Sequence, residues 1–159
     1  MNENTIPQPI GAYARSKYLA ERELSALYSG SPYTIARFAP IYTEDNKKDI
    51  RKRYFLKYPG ICYKLGNGTE YEFLSVSQAV DVILRWVNSP EKMCGIFNIR
   101  DYQRFNTREL INSEKAAGNA KIVITVPKFF AALLKAAADI MLSKKKFWKF
   151  QIYKILQPV

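Results

Sequence analysis

Apolar positions along this chain switch repeatedly between a helical and an extended period. From Ala12 to Leu27 strong helix formers dominate, with Ala20, Leu24 and Leu27 as a weak apolar stripe, and Gly30 and Pro32 follow as a stop. "YTIARFA", residues 33–39, is short, bounded by turn residues and closed by Pro40, which predicts a strand. The charged stretch 44–53, "EDNKKDIRKR", predicts a loop or a short exposed helix. "ICYKL" and "YEFLS" flank "GNG" at 66–68, where Gly and Asn tolerate positive φ, so a hairpin-like turn is expected.

Ser75 and Gln78 then form an S-x-x-Q capping box. After it Val76, Ala79, Val80, Ile83, Leu84 and Val87 fall on one helical stripe, expected to face the core, and Ser89-Pro90 closes the helix. "GIFNI", 95–99, predicts a strand, and Asn106 with Glu109 starts a helix that Gly118 ends. "KIVITV" predicts a strand running into Pro127 at a helix N-terminus, with the helix spanning 129–142. Strands alternating with helices imply an α/β protein.

Composition narrows the chemistry. The 159 residues contain no histidine, which excludes Ser-His-Asp and Cys-His nucleophile systems and every His-based zinc site. Acid–base work must then rest on Tyr, Lys, Asp, Glu or Cys. Cys62 and Cys94 make neither a disulfide framework nor a metal spacing, so a reducing, cytoplasmic setting is the expectation. "MNENTIPQPIG" has no apolar signal region, and no run reaches transmembrane length. A formal charge of +11 points to anionic partners or substrates without choosing among sugar nucleotides, nucleic acid and acidic lipid.

One pair suits that restricted chemistry. Tyr13 and Lys17 stand four apart, one helical turn, in "AYARSKYLAERE". With 11 tyrosines in 159 residues, roughly one Y-x-x-x-K arises by chance, so the spacing alone is weak. The chemistry is sound, however. A free phenol titrates near 10, too high for a good base at neutral pH, and an ammonium one turn away favours phenolate.

The surrounding segments resemble, in order and spacing, the extended short-chain dehydrogenase/reductases, in their branch of NAD-dependent nucleotide-sugar epimerases and dehydratases. Residues 9–17 resemble "P-x-x-x-Y-x-x-S-K", and 37–42 resemble "R-P-x-x-V-Y" with Phe38 at the proline. Residues 66–80 resemble "G-x-G-x-x-R-x-F-x-H-V-x-D-x-A", with Tyr71, Ser75, Gln78 and Val80 at the Arg, His, Asp and final Ala positions. "GIFNIRDYQRFNTREL" resembles the "G-x-Y-N-I" segment that follows.

The resemblance implies the C-terminal part of a doubly wound Rossmann-like sheet, residues 1–43, plus a small substrate-binding α/β subdomain over 44–159, with 70–90 packing back on the first part. It implies NAD or NADP as cofactor and a nucleotide sugar as substrate. Tyr13 exchanges a proton with a substrate hydroxyl, and Lys17 also holds the nicotinamide ribose. Pro40 and Tyr42 line the nicotinamide pocket. The family's diphosphate-binding arginine position holds Tyr71, which makes Arg51, Lys52 and Arg53 candidates for that task.

No G-x-G-x-x-G or P-loop occurs in the sequence, so the family's pyrophosphate-gripping turn is missing. A C-terminal fragment, inactive and without tight cofactor binding as an isolated chain, is the resulting expectation. A competing expectation is a non-catalytic module that needs a separate nucleotide-binding half, or a homodimer, to cover its sheet. A third, ranked last, is salt-sensitive binding of nucleic acid or anionic membrane through residues 47–57 and 144–149.

Overall fold

The computed structural model describes residues 3, 5–9, 11–56, 58–89, 93–130, 133 and 136. The chain opens with helix α1 (Ala12–Leu27) and continues into strands β1 (Thr34–Phe38) and β2 (Ile41–Tyr42) and the short helix α2 (Lys48–Arg51). Strands β3 (Ile61–Leu65), β4 (Glu70–Tyr71) and β5 (Leu74–Ser75) lead into helix α3 (Val76–Asn88). Strands β6 (Gly95–Ile99) and β7 (Phe105–Asn106), helix α4 (Thr107–Ala116) and strand β8 (Ile122–Val126) complete the described elements.

Three parallel pairings organise these pieces. β1 lies beside β6 from Thr34↔Gly95 to Phe38↔Ile99, β2 beside β5, and β3 beside β8 from Ile61↔Ile122 to Leu65↔Val126. A parallel neighbour requires a long crossover. The crossover between β1 and β6 contains β2 to α3, so most of one unit is inserted between two adjacent strands of another.

The hairpin expected around Gly66–Gly68 does not form. Gly66 and Gly68 do turn the chain, at φ +54° and +114°, but β3 pairs with distant β8. The "YEFLS" segment splits into β4, antiparallel to β7, and β5, parallel to β2. Gly68 is required where it stands: a Cβ there would collide with the Asn106 Oδ1 that caps α4. The charged 44–53 stretch does contain a helix, yet Ile50 within it is buried, because one apolar residue in that run anchors α2 to the core.

The core is aromatic. Ile50, Tyr54, Cys62, Tyr71, Phe73, Ile111 and Ala120 are buried together, with Tyr42, Phe55, Phe105, Leu110 and Val123 packed against them. Phe73 sits at its centre, edge-on to Phe105 at 5.4 Å and to Tyr42 at 6.4 Å between ring centroids. Cys62, fully enclosed, is a packing residue.

The layer formed by α1, β1, β6 and α3 is different. α1 has no buried residue. β1 and β6 have no further strand neighbour among the described residues. α3 is capped as expected, Ser75 Oγ accepting from Gln78 N at 3.3 Å. The orientation expected for its stripe holds at Ala79 and fails at the other five positions. Ala79 is buried and Trp86 meets Phe97 of β6 at 5.6 Å, whereas Val76, Val80, Ile83, Leu84 and Val87 are 40 to 75% exposed. The side of the helix that this chain covers is the one carrying Ala79, Val82 and Trp86. The predicted helix 129–142 and the basic tail lie largely outside the described residues; its first turn follows Pro127, with Phe130 N bonded to the Pro127 carbonyl.

This division has a measurable consequence. Phe73→Ala, at 1% exposure, should lower unfolding stability by about 3–5 kcal/mol. Leu84→Ala, at 52% exposure, should cost about 1 kcal/mol or less in the same urea titration.

Candidate active site

α1 begins at Gly11, whose φ of +91° suits glycine, and no side chain caps the helix. Tyr13 is 77% exposed in its first turn, and Lys17 Nζ stands over the Tyr13 ring, 5.6 Å from the centroid. The two side chains therefore share one open face, and the Tyr13 hydroxyl has no hydrogen bond among the described residues. An ammonium at that distance is attracted to the ring face, and a nearby positive charge favours the phenolate form of a phenol. α1 is held to the sheet by Glu21, which accepts from Arg37 Nε and Nη2 of β1, the latter at 2.7 Å.

The other sequence candidates gather elsewhere. Pro40 contributes its carbonyl to Leu74 N at 3.1 Å. Tyr42 donates to Asp101 Oδ2 at 3.1 Å, and its ring packs on Phe105 and Phe73. Tyr71 is buried beside Phe73, and the Arg53 guanidinium lies over its ring at 5.2 Å. Pro40, Tyr42, Tyr71 and Arg53 thus border one aromatic cluster. Arg51 lies against Phe55 at the edge of the cluster, 4.8 Å from its ring centroid, and is paired to Glu114 at 3.0 Å. No hydrogen bond, ion pair or ring contact among the described residues joins Tyr13 or Lys17 to that cluster.

Two carboxylates that sequence reasoning passed over hold these pieces. Asp101, just beyond β6, accepts from Ser75 N with both oxygens at 3.1 Å as well as from Tyr42, tying the inserted unit to the end of the β1–β6 pair. Glu114 of α4 accepts from Arg51, Tyr54 and Asn119. Neither sits in a motif, and most of their partners lie tens of residues away, so spacing carried no signal. Lys47 and Lys52 also face carboxylates, Glu44 and Asp49, so the basic stretch after β2 is partly neutralised locally. Among the described residues no helix is long and apolar enough to cross a membrane, and no cluster of metal-ligating side chains occurs. The basic segment 144–149 lies outside them.

The fold matches part of the UDP-glucose 4-epimerase of Thermus thermophilus, solved with NAD, at TM-score 0.53 and 25% identity over 80% of this chain and 45% of that one. The chain therefore resembles the extended short-chain dehydrogenase/reductases in fold as in motif. RMD from Pseudomonas aeruginosa, solved with NADPH, shares the fold at TM-score 0.50 and 21% identity, over 79% of this chain and 47% of that one. The chain thus spans less than half the length of these two neighbours. No family model and no curated protein matches the sequence. An α/β fold with parallel strand pairs, similar to part of a Rossmann-like enzyme, is what the likeness carries.

Burial sets the protonation of the clustered phenols. Burial and the Asp101 carboxylate push Tyr42 up to about 12, and burial pushes Tyr63 up to about 12. Burial with Glu114 raises Tyr54, and burial raises Tyr71. Each lies above the ordinary value near 10, so the stability these neutral phenols contribute is fully present below about pH 10. It is lost as pH rises towards 12. An alkaline series of urea melts should show stability falling over that window, and Tyr42→Phe should make the fall shallower.

Proposed function

We propose that this chain carries the acid–base half of an NAD-dependent nucleotide-sugar epimerase or dehydratase. The observation behind the reading is the placement of Lys17 over the exposed Tyr13 ring at the start of α1. Tyr13, with its hydroxyl open, exchanges the proton of a sugar hydroxyl, and Lys17 offsets the negative charge left on the phenolate oxygen. Lys17 would hold the cofactor ribose, and Pro40 and Tyr42, beyond the end of β1, would line the nicotinamide side. The chemistry that a nicotinamide dinucleotide would supply there is reversible hydride acceptance from a sugar carbon. The exposed, uncommitted Tyr13–Lys17 face fits such a group. The Tyr42 hydroxyl, occupied by Asp101, contributes ring surface only.

Substrate anchoring falls to Arg53. It stands over Tyr71 at 5.2 Å, at the strand position where the resemblance calls for an arginine, so its guanidinium is offered from a neighbouring element. Arg51, paired to Glu114 at 3.0 Å, is the second candidate from the same segment.

The test is a chimera in which this chain replaces the matching part of the Thermus thermophilus epimerase. Turnover of UDP-glucose is expected, and Tyr13→Phe should lower it by about 10²-fold or more. A chimera whose rate is indifferent to Tyr13→Phe sinks the reading. The isolated chain is expected to produce no NADH and to keep its thermal midpoint when NAD is added.

A second reading, a module that requires a separately supplied partner layer, is supported by the exposed stripe on α3. The chain alone should then self-associate in size exclusion, and Val80→Gln with Leu84→Gln should shift it towards a monomer. A monodisperse monomer of the unsubstituted chain counts against this second reading.

A further inference from the structure

Away from Tyr13 and the aromatic cluster, α4 packs along the β3–β8 pair. Arg108, Asn112 and Lys115 are spaced four and three apart on α4 and so share one side of that helix. Facing them, Lys64 and Thr125 are register partners across β3 and β8. These five side chains, with Ile111 and Val123, line an open surface cavity of about 200 Å³.

Its electrostatics are one-sided. Three cations line the cavity and no carboxylate does. α4 carries two carboxylates, but Glu114 is taken by Arg51, Tyr54 and Asn119, and Glu109 is not part of the lining. None of Lys64, Arg108 and Lys115 takes part in an ion pair among the described residues. Cations held around one space repel one another, and an anion placed between them relieves that repulsion.

The volume and the donors define what fits. The space is smaller than the roughly 300–1,000 Å³ that drug-sized ligands occupy, so it takes a single small group. Arg108 offers a planar fork, Lys64 and Lys115 point charges, and Asn112 and Thr125 neutral donors, a set suited to tetrahedral oxyanions. The geometry points to a phosphate-binding site between α4 and the β3–β8 pair. It does not depend on the reductase reading, because it uses none of the residues assigned there.

Equilibrium dialysis of the full 159-residue chain against radiolabelled inorganic phosphate, in chloride at matched ionic strength, tests the site. Saturable binding near one phosphate per chain is expected. Arg108→Gln and Lys115→Gln, both exposed positions, should each weaken it by about ten-fold. Lys121→Gln removes the same charge outside the lining and should leave it within about two-fold. A parallel competition with glycerol 3-phosphate separates the sources: weaker competition than by unlabelled phosphate marks a site for the free anion, stronger competition one for a phosphate ester. Non-saturating uptake, or equal weakening by Lys121→Gln, shows diffuse charge attraction and overturns the assignment.

Discussion

The parallel register of β3 against β8 is the constraint from which the rest of this molecule follows. It joins residues 61–65 to residues 122–126, so everything between them must cross over before the pair can close. The returning segments bring Tyr71 and Phe73 from one side, Phe105 and Ile111 from another, and the aromatic core closes around them. Pairing of this range is entropically expensive, and burial of large rings offsets it. α4, positioned by its Asn106 cap under Gly68, is the element that lies along this pair and completes both the core and the cationic cavity.

The Tyr13–Lys17 face stands in a different physical situation. Its helix rests on a two-stranded parallel pair through the Glu21–Arg37 bridge, with no buried residue of its own. Ion pairs of such partly exposed groups stabilise weakly. Parallel strands are ordinarily covered on both faces, and here α3 turns five apolar side chains outward. The Tyr13–Lys17 face and the cohesive core thus lie in different parts of the chain. Asp101 is one link between them, gripping Tyr42 and Ser75 from the end of β6.

That division also orders the functional readings. An acid–base pair works when water is excluded and the substrate is held in register. In this chain Tyr13 is exposed, while Arg53 borders the closed core over the Tyr71 ring. The likeness to an epimerase solved with NAD extends over less than half of that enzyme's length.

Local order was legible in the residues themselves. α1 spans Ala12–Leu27 as its helix formers and following Gly and Pro imply, and the caps at Ser75 and Asn106 hold α3 and α4. One-turn spacing placed Lys17 beside Tyr13, because neighbours on a helix surface are set by the backbone alone. Pairing was not legible. A turn at Gly66–Gly68 constrains a few dihedrals, and whether its flanks join each other depends on competing strands that no local pattern names. The direction of α3 was undecided for a related reason: periodicity shows that a helix has an apolar face, and the outward side of this one is apolar too. Which face is covered is set by what the rest of the fold places against it, and here that is β6, through Trp86 and Phe97.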